Sequence, residues 1–257
     1  MERLVKTLVL IHAFPVDHRM WDGIVDEIAQ AGWQIFTPDI RGFGTAEPWG
    51  DLTPSITQCA IDIENMLAKY GVENYVVGGC SLGGYISMEL MRRNPTQIAA
   101  AILIDTKASA DNEEQKVNRQ RVAQTVLDSD TTEAFWRAML PKVLGVTTQN
   151  QNSDAVELTR SMMQDSKPEA VANLQLAMAA RPDSFETLRN FAGSVLSIRG
   201  SEDEVTTESD HQAMVDACHD AIHVEIAGSG HLAPVEAPAE TAQVIIEFLQ
   251  KIAATNC

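Results

Sequence analysis

Positive charge is scarce in this sequence. Over 257 residues, 19 lysines and arginines stand against 36 aspartates and glutamates, a formal net charge of −17. Such a chain has neither the counter-ion release that holds a protein on nucleic acid nor the attraction that holds one on an anionic membrane. Cysteine is sparse as well. Cys59, Cys80, Cys218 and Cys257 show no CxxC spacing and fall far short of a secreted disulfide scaffold, so they read as reduced thiols. No apolar run approaches the length of a membrane span, about 18 residues or more. The stretch before Thr7-Leu8-Val9-Leu10-Ile11 lacks the long apolar region and small-residue cleavage site of an exported chain, which makes the cytoplasm the expected location.

The chain is long enough for one large α/β domain or two small ones. Short runs rich in Val, Ile and Leu occur at Leu4 to Ile11, Gln34 to Thr37, Tyr75 to Val77, Ile98 to Ile104, Ser194 to Ile198 and Ile222 to Ile226. They suit strands buried on both faces of a parallel sheet. Helical patterns lie between and after them at Met20 to Ala31, Ile56 to Tyr70, Tyr85 to Arg93, Glu208 to Cys218 and Pro238 to Ala253. The alternation predicts an open α/β sheet. It breaks after Asp105, where helical stretches at Asp111 to Leu127, Thr132 to Leu140, Ala155 to Met163 and Pro168 to Ala180 follow one another without a strand. The expected division is therefore a core formed by residues 1–105 and 191–257, with residues 106–190 inserted as a helical cap over the sheet edge. Charge supports it: Thr106 to Asn190 holds 12 acidic and 10 basic side chains, so nearly all the negative charge belongs to the core. Phe135, Trp136, Met139 and Met163 give the cap apolar, adaptable side chains with which to line a substrate pocket. The cap shows no obvious positive cluster to clamp a phosphate, although the positions of Arg119, Arg121, Arg137 and Arg160 stay open. Small or medium neutral and weakly acidic acyl substrates are expected on that basis.

Ser81 stands at the centre of Gly79-Cys80-Ser81-Leu82-Gly83, between an apolar strand and a helical stretch. A strand turning straight into a helix needs glycines beside the bend, and the bend lifts the serine hydroxyl above the sheet edge at a helix N-terminus. A serine hydroxyl needs an imidazole to take its proton and a carboxylate to fix the imidazole tautomer. His231, in Gly228-Ser229-Gly230-His231-Leu232 after a strand, is the best-placed base. His211 and His219 fall in a polar helix, His223 in a strand, and His12 and His18 near the first turn. Asp203 follows the preceding strand, with Glu202, Glu204 and Asp105 as competing acids. The order serine, acid, histidine is that of a triad drawn from successive strand ends. An oxyanion would be met by the Leu82 N–H and by the Phe14 N–H in His12-Ala13-Phe14-Pro15. Neither a metal nor an organic cofactor is required.

With Pro38-Asp39-Ile40-Arg41-Gly42-Phe43-Gly44 added to these motifs, the chain resembles the α/β-hydrolases from Leu8 to about Leu249. The resemblance implies a mostly parallel open sheet with flanking helices and a cap. It further implies Ser81 as nucleophile, Asp203 as acid, His231 as base and Phe14 with Leu82 as the oxyanion hole, while Asp39 and Arg41 brace loops. Ile104-Asp105-Thr106-Lys107-Ala108 and His231-Leu232-Ala233-Pro234 look like the branch of 3-oxoadipate enol-lactonases and related small carboxylesterases. The implied substrate is a small-molecule ester or lactone. Cofactor-free perhydrolases of the haloperoxidase type and carbon-carbon bond hydrolases share the triad and stand as alternatives. A non-catalytic binding protein on this fold usually lacks a triad member, and none is missing. Hydroxynitrile lyases differ at Ala13 and Leu232, where they carry threonine and lysine; haloalkane dehalogenases need aspartate at the position of Ser81. The sequence departs from the family in two ways. Ala13 replaces the usual glycine, and the family's N-terminal hairpin is expected to be missing, which would leave an edge bare or covered by a partner and admits a homo-oligomer.

Overall fold

The computed structural model describes residues 6–129 and 131–255. Its sheet contains β1 (Thr7–Ile11), β2 (Gln34–Phe36), β3 (Tyr75–Cys80), β4 (Ile98–Ile104), β5 (Ser194–Gly200) and β6 (Ala221–Ile226). The order is β2-β1-β3-β4-β5-β6, and among the described residues every neighbouring pair is parallel, in keeping with the expected open, mostly parallel sheet. The predicted start of the first strand at Leu4 and Val5 lies outside the described residues, as does Cys257. Among the described residues the sheet begins with β1, and the short β2 forms one edge.

Helices cover both faces. They are α1 (Asp22–Gln30), α2 (Ile56–Lys69), α3 (Leu82–Arg93), α4 (Glu113–Leu127), α5 (Glu133–Val143), α6 (Val146–Gln151), α7 (Ser153–Gln164), α8 (Pro168–Ala180), α9 (Phe185–Asn190), α10 (Glu208–Ala217), α11 (Ala233–Glu236) and α12 (Pro238–Thr255). Strand alternation divides the core. Leu8 and Leu10 join Ile24, Ile28, Phe248 and Leu249 of α1 and α12, whereas Val9 and Ile11 join Ile63, Leu67 and Ile86 of α2 and α3. β3 is buried along its whole length, which accounts for a strand that reads as continuously apolar. Six helices, α4 to α9, occupy the connection between β4 and β5. No helix among the described residues is long and apolar enough to cross a membrane.

The connectivity reverses between β1 and β3: β2 lies on one side of β1, and β3 to β6 follow on the other. In open parallel sheets that reversal opens a crevice beyond the carboxyl ends of the strands. Phe14 follows β1 at this end, Ser81 follows β3, Asp105 follows β4, Asp203 lies beyond β5 and His231 beyond β6. The bend after β3 is packed too closely for side chains at its glycines. A Cβ on Gly83 would stand 1.9 Å from the Ile11 carbonyl oxygen, and one on Gly79 would stand 2.1 Å from the backbone of Gly83. Gly83→Ala is therefore expected to destabilise the fold by about 3 kcal/mol, a fall in Tm of roughly 10 °C that thermal unfolding will measure.

Candidate active site

Ser81 takes a backbone conformation that a non-glycine residue rarely adopts, with φ 52° and ψ −110°. It is held there from both sides. Its N–H donates to the Ile104 carbonyl at 2.9 Å, and its carbonyl accepts from the Thr106 hydroxyl at 2.8 Å. β4 and the loop after it thus impose the turn on β3, and α3 begins at the next residue, Leu82.

The Ser81 Oγ lies 2.7 Å from His231 Nε2, and His231 Nδ1 lies 2.9 Å from Asp203 Oδ2. An ionised carboxylate only accepts, so Nδ1 carries the proton and Nε2 is left free to accept from the serine hydroxyl. Asp203 is also held by the N–H groups of Val205 and Thr206, at 2.7 and 3.1 Å, and by the Thr206 hydroxyl. Burial on its own would raise the Asp203 pKa; His231 and these donors outweigh it and bring it well below the ordinary carboxylate value. Burial would likewise lower the His231 pKa, but Asp203, with a further contribution from Asp105, carries it above the ordinary imidazole value.

Asp105, the competing acid, makes different contacts. Its carboxylate accepts from Gly200 N–H at 2.7 Å and from Ala233 N–H at 3.1 Å, tying the loop that holds Asp203 to the helix start beyond His231. Burial, reinforced by the neighbouring Asp203, pushes its pKa up. Glu202 receives the Thr147 N–H and hydroxyl, and Glu204 is exposed.

Neither the Phe14 N–H nor the Leu82 N–H has a hydrogen-bond partner among the described residues. His12, which sequence placement ranked low as a base, braces the first of these loops. Its Nε2 accepts from Ile40 N–H at 2.8 Å, so its Nδ1–H donates to the Ala13 carbonyl at 2.8 Å, and complete burial lowers its pKa. Asp39 accepts from His18 and Thr45, while Arg41 grips Asp62 with two nitrogens at 2.7 Å each. Asp17, His18 and Asp39 bring potential metal-ligand atoms within 4.8 Å of one another. Those carboxylates are already committed, Asp17 to Arg19 and Asp39 to the two loops. Cys59, Cys80 and Cys218 are free thiols, and burial pushes Cys59 up to about 12 and Cys218 to about 11.

A solvent-open cavity of about 660 Å³, lined mainly from α4 and α5, lies near this arrangement, its wall formed by neighbours of Ser81, Asp203 and Phe14 rather than by those residues themselves. It reaches Tyr85, one turn along α3 from Ser81, and Thr206, which holds Asp203. Phe135 and Met139 line it, and Phe135 also packs against the Phe14 ring at 5.8 Å. Trp136 and Met163 are buried instead among side chains from the α1 and α12 face of the sheet. The corner between α5 and α6 is fixed to the candidate site. The His231 N–H donates to the Val143 carbonyl at 3.0 Å, and the buried Glu236 accepts from Gly145 N–H at 2.7 Å and Leu232 N–H at 3.0 Å. His211 is fully buried rather than on a polar helix face, bonded to Ser197 at 2.8 Å, and His219 lies beyond the end of α10 rather than within it.

A hydroxyl, an imidazole and a carboxylate in relay beside two open N–H groups can perform nucleophilic acyl transfer. Other proteins share the frame. An esterase from Thermogutta terrifontis, solved with malate bound, superposes with a TM-score of 0.92 at 31% identity, covering 96% of this chain and 90% of that one. The enol-lactonase of Burkholderia xenovorans LB400 superposes at 0.86 with 21% identity, covering 96% and 92%, a likeness of fold. A protein of Mycobacterium tuberculosis named as a non-heme bromoperoxidase, BpoC, is 26% identical over 87% of this chain and 86% of its own length. Another relative, an AB hydrolase superfamily protein of Bacillus subtilis, matches over only 41% of this chain and 39% of its own length. The family model for the alpha/beta hydrolase fold matches residues 6–238, nearly the whole chain. With an all-parallel sheet, a serine at the bend after β3 and this match, the chain belongs to the α/β-hydrolase fold family.

Proposed function

We propose that this protein is a serine hydrolase that cleaves a small to medium carboxylic ester or lactone through an acyl-enzyme intermediate. The observation that carries the proposal is the unbroken relay from Ser81 Oγ to His231 at 2.7 Å and from His231 to Asp203 at 2.9 Å. Ser81 attacks the carbonyl carbon while His231 Nε2 takes the hydroxyl proton, and Asp203 stabilises the imidazolium. The oxygen that becomes negative is received by the Phe14 and Leu82 N–H groups. Collapse expels the alcohol, to which His231 returns the proton. Water, deprotonated by the same imidazole, then releases the acid and restores Ser81. Residues 106–190 act as the cap, with Phe135 and Met139 against the acyl chain. The esterase likeness at 31% identity over almost the whole chain supports an ester as substrate.

The test is a stopped-flow burst with p-nitrophenyl acetate, followed by peptide mass spectrometry. One acetyl group on Ser81 is the expected result; hydrolysis without a burst and without a labelled Ser81, across esters of fast and slow leaving groups, sinks the proposal. The bromoperoxidase relative favours one second reading, in which peroxide replaces water in the second step. A faster release of the acetyl group by peroxide than by water at equal concentration would establish it.

The pH dependence follows from the base. Neutral His231 is the active form, and its pKa lies above the ordinary imidazole value. The kcat/KM for a neutral ester is therefore expected to rise with pH through a midpoint above 6.5. A pH-rate profile checks the sign: a rate that falls across that range contradicts a histidine base.

A further inference from the structure

The cavity beside the relay differs in charge from the rest of the chain. Among the described residues lining it, Lys107, Arg119, Arg121 and Lys142 are cationic and Asp111 alone is anionic, in a chain with nearly twice as many acidic as basic side chains. The sequence shows no positive cluster here because its members come from three places: the loop after β4, two sides of α4 and the end of α5. Arg137 and Arg160, the other cations left open by sequence, pair instead with Glu133 and Glu157 at the surface.

Asp111 does not neutralise the group. It is shared between Arg119 and Arg181, the latter at 2.8 Å, and Arg181 also lies over the Tyr85 ring at 3.9 Å. Two guanidiniums on one carboxylate leave a net positive charge beneath the cavity. Lys107 adds a further one. It is half-buried and has neither a hydrogen bond nor an ion pair among the described residues. Burial, and then Arg181, depress its pKa, and the opposing pull of Asp111 and Asp210 does not make up for them. The location ties it to the reaction. Lys107 follows Thr106, whose hydroxyl holds the Ser81 carbonyl, and shares the cavity wall with Tyr85, about 6 Å along the helix axis from Ser81 at 1.5 Å per residue.

We propose that the cavity takes an ester bearing a carboxylate, and that the Lys107 ammonium is the counter-ion that selects it. No carboxylate pairs directly with Lys107 among the described residues, Asp111 being held by Arg119 and Arg181, and the substrate supplies that partner. A cavity of about 660 Å³ has room for a chain of several methylenes between the carboxylate and the reacting carbonyl. The proposal rests on Ser81 acting as the nucleophile, and it narrows that reaction to one class of substrate.

Three esters and one non-reacting ligand test it. p-Nitrophenyl butyrate is neutral, mono-p-nitrophenyl glutarate carries the carboxylate on the acyl side, and 5-butyryloxy-2-nitrobenzoate carries it on a nitrophenol leaving group. Wild type is expected to prefer one charged ester over butyrate, which also reports which side enters the cavity. In Lys107→Met the ratio of kcat/KM for that ester over butyrate should fall about 10- to 100-fold, and Lys107→Arg should restore most of it. Binding of glutarate itself, followed by calorimetry, should weaken at least about 10-fold in Lys107→Met. No preference in wild type, or equal loss on charged and neutral esters, overturns the proposal. If no ester is turned over, the Ser81 mechanism fails first; the glutarate measurement still decides the carboxylate site, and equal affinity in the two proteins removes it.

Discussion

Ser81→Ala is expected to lower kcat for p-nitrophenyl butyrate by about ten-thousand-fold or more while leaving the thermal unfolding curve close to that of the wild type. The size follows from the position. Ser81 Oγ is the atom 2.7 Å from His231 Nε2, and without it the proposed acyl-enzyme cannot form to divide the reaction into two steps. The fold should survive because Ser81 is fixed through its backbone, by Ile104 and Thr106, and the hydroxyl takes no part in those bonds. A second substitution separates chemistry from strain. At φ 52° a glycine meets no steric cost, so Ser81→Gly should unfold at the same or a higher temperature than Ser81→Ala and be equally inactive. Residual activity above one per cent in both variants, at wild-type stability, would show that the hydroxyl is not the nucleophile.

The interior of the sheet was readable because strands buried on both faces are short apolar runs bounded by turn residues. β4 is predicted over Ile98–Ile104 and found there. Strand ends were less readable. β3 continues through Gly78-Gly79-Cys80, glycine-rich residues that become strand by pairing with Ile102, Leu103 and Ile104, and β5 runs on through Arg199 and Gly200 opposite Glu225 and Ile226. Local sequence carries no record of such pairing. Three short helices, α6, α9 and the four-residue α11, are illegible for a similar reason. α6 and α9 have six residues each, too few to be stable alone, and α6 is anchored by Glu202 receiving the Thr147 N–H and hydroxyl.

The residues around the candidate site divide along the same line. Ser81 and His231 stand beside glycines at strand ends, a signal carried by neighbours in the chain. Phe135 and Trp136 are adjacent in sequence yet separate in the fold, one at the cavity and the other in the core, because successive helical residues point about 100° apart. Periodicity gives a face and leaves open what packs on it. His12, Glu236 and Thr206 have ordinary local surroundings, and their importance lies in backbone groups they reach from distant elements. An unusually polar residue in an apolar stretch, such as His12 after the first strand, was the only trace they left.

Asp203→Asn is expected to lower kcat by about a thousand- to ten-thousand-fold with the fold retained, and Asp105→Asn by far less with a greater loss of stability. Asparagine can turn its amide hydrogens toward His231 Nδ1, which then accepts. The ring proton moves to Nε2, and that nitrogen can no longer take the Ser81 proton. Asp203 is also the main group raising the His231 pKa, so the residual activity should titrate at a lower pH than in wild type. Asp105 touches neither Ser81 nor the ring nitrogens in any hydrogen bond; it receives the N–H groups of Gly200 and Ala233. Its amide variant loses one of these acceptors inside the protein, which costs about 1–3 kcal/mol and loosens the loops carrying Asp203 and His231. Its loss removes a smaller raising influence on His231, so the midpoint should fall less than in Asp203→Asn. Paired pH-rate profiles and thermal unfolding of the two variants decide between the carboxylates. If Asp105→Asn abolishes turnover at unchanged stability while Asp203→Asn remains active with a wild-type midpoint, Asp105 is the acid and the 2.9 Å contact between His231 and Asp203 only orients a loop.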